Sequence, residues 1–245
     1  MEHSREGVAI VTGASAGIGE AIARRLLTDG HTVITLQRRP PPFTHERLVH
    51  RAVDLSDAGS TSAAALEVAA AYPVRYLVNN AGANRPGPLE TVSVDDLDYA
   101  MDINVKAAVL LIQAFAPGMR EARFGRIVSM SSRAIMGKTQ RLVYSAAKSA
   151  LIGITRTLSL ELARDGITVN AIAPGPVATD LFDNGHPVGS EKRRKVIEAI
   201  PVKRVGTPDD VARAVAFLLH ADSGYITGQT LFVCGGTSVS GTGGD

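Results

Sequence analysis

The sequence predicts a single doubly wound α/β domain, with about seven parallel strands and helices on both faces of the sheet. Three observations lead there. Strand-like and helix-like segments alternate along nearly the whole chain, which implies parallel strands joined by right-handed crossovers. The first strand runs directly into a glycine-rich turn and a helix. No internal repeat and no break in composition divides the 245 residues, and a wound α/β fold routinely uses that many in one domain.

The elements follow in order. Val8 to Thr12 is a short β-branched run, the first strand. Gly17 to Asp29 reads as a helix because Ile18, Ile22, Leu26 and Leu27 share one face, and Gly30 follows where a helix C-cap favours glycine. Thr32 to Leu36 is a second strand and Leu48 to Val53 a third, with a weaker pattern. An alanine-rich helix covers about Ser60 to Tyr72, before a fourth strand from Arg75 to Asn79. Ser93 with Asp96 forms a capping pair that opens a long helical region to about Ala122, interrupted near Asn104. Arg126 to Met130 is a fifth strand, Val143 to Arg164 a long helix and Thr168 to Ala173 a sixth strand. Pro174 to Gly189 is rich in proline and glycine with little periodicity, so it reads as a loop. Short helices near Glu191 to Ala199 and Pro208 to His220 precede a last strand, Thr230 to Val233. The tail from Gly235 to Asp245 is rich in Gly, Ser and Thr and is expected to be flexible at its end.

Hydrophobic residues make up 45% and charged residues 20% of the chain, enough apolar side chain for a sizeable core. A net charge of +2 is too small to argue for nucleic acid or a membrane surface. Cys234 is the single cysteine, so it forms no internal disulfide. No Cys/His cluster has metal-ligand spacing, so no metal is expected. Met1 to Gly7 has no apolar signal-peptide core, and the apolar stretch Ala107 to Met119 is too short to span a bilayer. The expectation is a cytoplasmic protein.

The turn Thr12-Gly13-Ala14-Ser15-Ala16-Gly17-Ile18-Gly19 carries the first chemistry. Its glycines let the backbone turn tightly and approach a ligand, while the helix N-terminus offers unpaired N–H groups to a pyrophosphate. At the end of the second strand stands Gln37, followed by Arg38 and Arg39. A carboxylate there would accept from ribose hydroxyls; its absence, with a guanidinium beside it, suits a 2′-phosphate. Two arginines solvating a surface turn before Pro40 is the plainer alternative. Tyr144 and Lys148 lie four residues apart on one helix face. An ammonium beside the phenol is expected to lower its ordinary pKa, near ~10, towards the working range of an acid–base catalyst.

The T-G-x-x-x-G-x-G turn, Asn79-Asn80-Ala81-Gly82, Ser132 with Tyr144-x-x-x-Lys148, and Pro174-Gly175 with Thr179 occur in one order. Together they resemble the short-chain dehydrogenase/reductase family, and in particular its 3-oxoacyl-carrier-protein reductase-like members. The resemblance implies a Rossmann-type fold and NADP(H), with Arg38 in an NADP-selecting position. Ala16 stands where many NADP-using relatives have Arg or Lys. It assigns cofactor contacts to Gly13, Ser15, Gly17, Ile18, Gly19, Asp54, Leu55, Asn80, Ala81, Gly82, Pro174, Gly175, Val177 and Thr179, as well as to Tyr144 and Lys148. Asp54 reads equally well as a helix cap. The implied catalytic set is Asn104, Ser132, Tyr144 and Lys148. Ser132 orients the reacting oxygen, with Ser131 as its competitor, and Asn104 holds a water linking Lys148 to solvent. The implied chemistry is hydride transfer between nicotinamide and a carbonyl or secondary alcohol.

The segment from about 179 to 200 is where relatives close over substrate, and Met136, Val143, Phe182 and His186 are candidate pocket walls. Lys192-Arg193-Arg194-Lys195 is either a solvated helix face or a landing site for an acidic substrate such as an acyl carrier protein or a coenzyme A thioester. Arg123 matches one of two carrier-binding arginines beside the active-site mouth of such reductases; the second position holds Asp165. Arg133, directly after Ser132, is a further candidate anion contact. The leading reading is a ketoreductase acting on a small molecule or an acyl thioester. A sugar or polyol dehydrogenase using either cofactor and a non-catalytic nucleotide-binding scaffold are the alternatives. By resemblance the assembly is a homotetramer or homodimer. Cys234 replaces an Asp frequent in relatives.

Overall fold

The computed structural model describes residues 7–240. One seven-stranded parallel sheet has the order β3-β2-β1-β4-β5-β6-β7. Its strands are β1 (Val8–Thr12), β2 (Thr32–Gln37), β3 (Leu48–Ala52), β4 (Val74–Asn79), β5 (Gly125–Met130), β6 (Ile167–Pro174) and β7 (Thr230–Val233). The order grows outward from β1 to β3, then restarts on the other side of β1 with β4. The C-terminal ends of β1 and β4 therefore flank a crevice, because the loops leaving them depart to opposite faces.

Alternate residues of the central strands enter two separate cores. Ala9, Val11, Val33 and Val128 meet Ile22 and Leu26 of α1 (Gly17–Thr28) and Val211, Val215 and Leu218 of α8 (Pro208–Leu219). Ile10, Ile34, Leu77 and Ile127 face Val68 of α2 (Ala58–Ala71), Leu111 and Phe115 of α4 (Ala107–Glu121) and Leu162 of α5 (Leu142–Leu162).

The helix ends follow the capping chemistry of the sequence. Ser93 and Asp96 form a reciprocal capping box at α3 (Val94–Met101), and Gly30 (φ 96°) closes α1. The helix cap near Asp54 is Asp57, which accepts from the Ser60 N–H; Asp54 instead accepts from the Ser56 N–H and hydroxyl.

Helix α3 continues into α4 through a π-turn at Asp102–Lys106. The combined helix Val94–Glu121 is long and apolar enough to cross a membrane, unlike the shorter stretch judged from sequence. Here Leu111, Ile112, Phe115 and Met119 are buried against the sheet.

The expected loop from Pro174 to Gly189 contains a short helix, α6 (Asp180–Gly185), capped by the Thr179 side chain. Glu191–Ala199 forms α7. Within the tail, residues 235–240 make hydrogen-bonded turns, including Val202 N–H to the Gly235 carbonyl and Val239 N–H to the Gly236 carbonyl. Residues 241–245, where flexibility is expected, lie outside the described residues.

Candidate active site

A cleft of about 260 Å³ opens at the β1/β4 crevice, lined by Gly13, Ser15, Arg38, Asp54, Leu55 and Gly82 among others. Its glycines are there for space. Gly13 and Gly17 have φ of 68° and 56°, where side chains are strained. A Cβ on Gly19 would lie 2.1 Å from the Gly13 carbonyl oxygen, and one on Gly82 would lie 2.5 Å from Asn104 Oδ1.

Three side chains hold this turn from outside it. The Thr12 hydroxyl accepts from the N–H groups of Asn80 (2.9 Å) and Ala81 (2.8 Å). The Asn80 amide donates to the carbonyls of Thr12 and Gly13, which commits it to the turn. Gln37 Oε1 accepts from the Ala14 N–H at 2.7 Å. From sequence, Gln37 showed only as a missing carboxylate and Thr12 had no role; a threonine closing the first strand just before Gly13 was the available signal for the latter.

The crevice suits a phosphorylated dinucleotide. Gln37 Nε2 is buried without a partner on a residue lining the cleft, so an acceptor is wanted there. Arg38 is 71% exposed and only 3.8 Å from Asp54 Oδ2, a loose pair in solvent that leaves its fork available for a phosphate. From the far side, Thr179 Cγ2 lies 3.1 Å from where a Gly17 Cβ would stand, so the segment after β6 returns over the glycine turn. Gly175 donates its N–H to the Val233 carbonyl, and Val177 is buried in the core.

The second cluster lies at the end of β5. Ser132 caps the 3₁₀ turn Arg133–Met136, its hydroxyl accepting from the Ala134 N–H, and its side chain stands near enough to the Tyr144 phenol to pull its pKa down. Ser131 is buried, and its hydroxyl donates to the Lys148 carbonyl at 2.9 Å. Of the two serines, Ser132 is therefore the one set against Tyr144.

Lys148 is 3% exposed. Its ammonium donates to the Met130 carbonyl at 2.7 Å and lies 5.7 Å from the Tyr144 ring centroid. Burial pushes Lys148 down to about 8. Burial also pushes the Tyr144 phenol up, while Ser132 and Arg141 pull it back without prevailing. The expected lowering of Tyr144 by Lys148 is thus overturned: desolvation of the phenolate outweighs the help from neighbouring groups.

Asn104 sits inside the π-turn. Its amide donates to the carbonyls of Ala100 and Ala83. Ala100 is four residues back, so the side chain takes an acceptor that an α-helical N–H would use, which favours the wider turn. Asn104 Oδ1 is buried without a partner. It and Lys148 Nζ approach the same point, 2.5 and 3.0 Å from a Cβ built on Gly82.

Other sequence assignments move. Val143 is not a pocket wall; it packs in the core with Ala100 and Ala147. Phe182 stacks on His186 at 4.4 Å with Arg193 over its ring. Arg123 is not at the mouth within this chain. It precedes β5, at the end of the sheet opposite Ser132, and pairs with Asp165 at 2.9 Å, which also takes Arg120 at 3.1 Å. Cys234 bonds the Ser238 hydroxyl. Among the described residues no group of His, Cys, Asp and Glu could hold a metal.

Comparison with known proteins gives consistent relatives. The family model described as "Enoyl-(Acyl carrier protein) reductase" matches residues 13–238. The (2S)-[(R)-hydroxy(phenyl)methyl]succinyl-CoA dehydrogenase subunit BbsD of Thauera aromatica is 34% identical over 242 residues, 95% of this chain and 96% of the relative. The 3-oxoacyl-[acyl-carrier-protein] reductase FabG of Rickettsia bellii is 36% identical, covering 93% and 95%. A crystal structure of a putative NAD(P)-dependent gluconate 5-dehydrogenase from Beutenbergia cavernae, with bound NADP, superposes with a TM-score of 0.86 at 33% identity, covering 95% of this chain and 97% of that one.

Proposed function

The chain belongs to the short-chain dehydrogenase/reductase family, and from that premise we propose that Tyr144 is the proton donor and acceptor of its reaction at a carbonyl or secondary alcohol. It is an NADP(H)-dependent oxidoreductase. The observation that carries the assignment is the meeting of Ser132, Tyr144 and a fully buried Lys148 beside the glycine-lined crevice.

Bound NADP(H) supplies or removes the hydride at the substrate carbon. The protein handles the proton. Tyr144 Oη, a phenol whose pKa burial pushes further up, donates to the carbonyl oxygen as it gains charge. Ser132 hydrogen-bonds the same oxygen and fixes its position. Lys148, cationic below about 8, stabilises the phenolate left behind. The unpartnered Asn104 Oδ1 beside Lys148 suits a bridging water that returns the proton. In the cofactor crevice, Arg38 would hold the 2′-phosphate and the Gly13–Gly19 turn the pyrophosphate. Oxidation of an alcohol runs the same groups backwards.

Thioester-bearing and sugar-acid relatives support two substrate classes: acyl thioesters, of coenzyme A or a carrier protein, and polyhydroxy acids. The first leads. We place the enzyme in the cytoplasm as a homotetramer or homodimer, for which exposed Leu160, Phe217 and Tyr225 offer apolar surface. A non-catalytic scaffold would have no use for a desolvated lysine beside a tyrosine. The test is Tyr144→Phe. Turnover should fall by about 10²–10⁴ while NADPH binding, followed by its fluorescence, persists; near-native turnover would refute the assignment.

A further inference from the structure

The chain segment between Ser132 and Tyr144 carries three cations: Arg133 in the 3₁₀ turn, then Lys138 and Arg141. Arg141 stands one helical turn before Tyr144, and its charge acts on the phenol. Helix α7 adds a fourth, Lys192. Burial lowers the Lys138 pKa, and Arg141, Arg133 and Lys192 each add to that lowering.

The contrast within α7 is informative. Arg193 pairs with Asp183 at its N-terminal side, while Arg194 pairs with Glu198 (3.7 Å) and Lys195 with Glu191 (3.0 Å). Lys192 has no such carboxylate among the described residues. Among the described residues Arg133, Lys138 and Arg141 have none either; the Arg141 guanidinium donates only to the neighbouring Gln140 carbonyl. Elsewhere some surface arginines are paired, as at Arg24–Glu20, Arg25–Asp29 and Arg204–Asp210, but none of the unpaired ones described is grouped with three other cations on the substrate side of Tyr144. The segment is also held in shape. Gly137 and Gln140 have φ of 97° and 59°, and the Gly87 N–H donates to the Gln140 carbonyl. Like charges gathered without counter-charge repel one another, and an anion arriving among them relieves that repulsion.

We propose that Arg133, Lys138, Arg141 and Lys192 form a recognition site for a polyanionic tail of the substrate, phosphate or carboxylate, remote from the reacting carbon. Exposed Met136 and Leu142 on the same segment provide apolar footing for the part of the substrate between that tail and the carbonyl. This inference rests on the proposed reading of Tyr144 and Ser132 as the reacting end of the site. It does not involve Arg123, which lies at the opposite end of the sheet.

The variant is the double substitution Lys138→Gln with Lys192→Gln. The first measurement is the ratio of kcat/KM for acetoacetyl-coenzyme A over its neutral N-acetylcysteamine thioester. The ratio should fall about tenfold or more in the variant, the loss expected for removing charge-assisted contacts. A ratio within twofold of the native value overturns the proposal. The second measurement does not need turnover: titration of the NADP⁺-saturated protein with inorganic pyrophosphate and, in parallel, citrate. Binding of either anion, weakened at least tenfold by the double substitution, supports the site, and the tighter of the two tells phosphate from carboxylate. No binding of either, or binding the variant leaves unchanged, overturns it. Failure to turn over any carbonyl or alcohol would count against the activity reading alone, and the titration would then decide the anion site.

Discussion

The two halves of the crevice are built in opposite ways. At the ends of β1 and β4, side chains are committed to backbone: Thr12 accepts from two N–H groups, Asn80 donates to two carbonyls and Gln37 accepts from the glycine turn. On the substrate side, the segments 133–141 and 182–199 carry several cations and exposed apolar side chains such as Met136 and Val188. The first half is shaped before any ligand arrives and can serve any substrate. The second sets which substrate enters, and it can vary without disturbing the sheet. Tyr144 and Lys148 lie at the seam, one set by the loop beside it and the other by the core beneath it.

Substitutions that separate these halves should differ in kind as well as size. The largest effect is expected at the seam. Lys148→Met should reduce kcat by about 10³ yet raise Tm, because a desolvated ammonium is costly and a thioether of similar length is not. A fall in both would mean that the bond to the Met130 carbonyl outweighs desolvation. The pH dependence follows the same group. The folded pKa of about 8 lies below the unfolded value near ~10.4, so the folded state holds this proton less tightly. Lys148's contribution to stability should rise as pH climbs between those values, a slope that Lys148→Met should lose in urea titrations.

Next comes the preformed half. Thr12→Val leaves the N–H groups of Asn80 and Ala81 without their acceptor, which should cost about 2–4 kcal/mol in denaturant unfolding and weaken NADPH binding with it. If Thr12→Val affected turnover alone, the division between halves would be wrong. Arg38→Ala should leave stability near native, since its ion pair is exposed, but reduce the preference for NADPH over NADH by about 10–100-fold in steady-state kinetics. An unchanged preference would move the 2′-phosphate site elsewhere. The smallest effect separates the serines. Ser131→Ala should cost about 1 kcal/mol of stability with kcat nearly intact, whereas Ser132→Ala should do the reverse.

The sheet was legible because its strands are β-branched runs bounded by turns; Thr230–Val233 matches to the residue. Helix α6 was not, because it is six residues long and depends on the Thr179 cap rather than on apolar spacing. The interruption at Asn104 showed in sequence, but its cause, an amide reaching the Ala100 carbonyl, is a contact. Val143 looked like a pocket wall from its place beside Tyr144; on a helix, adjacent residues point apart, and it faces the core. Sequence singled out Arg133 as an anion contact and Lys192 within a basic run but gave Lys138 and Arg141 no role, since only folding brings Lys192 near Lys138. The direction of the Tyr144 shift was missed for a related reason: spacing reveals a neighbouring charge but not how dry the site is.

The most direct test of the central claim is isotopic. The native enzyme is given NADPH carrying deuterium at both C4 positions together with acetoacetyl thioesters, sugar-derived ketones and simple ketones. The account predicts NADPH consumption and an alcohol product one mass unit heavier, labelled at the former carbonyl carbon, with Tyr144→Phe forming almost none. An alcohol formed without label at that carbon, or equal label from Tyr144→Phe, would contradict it.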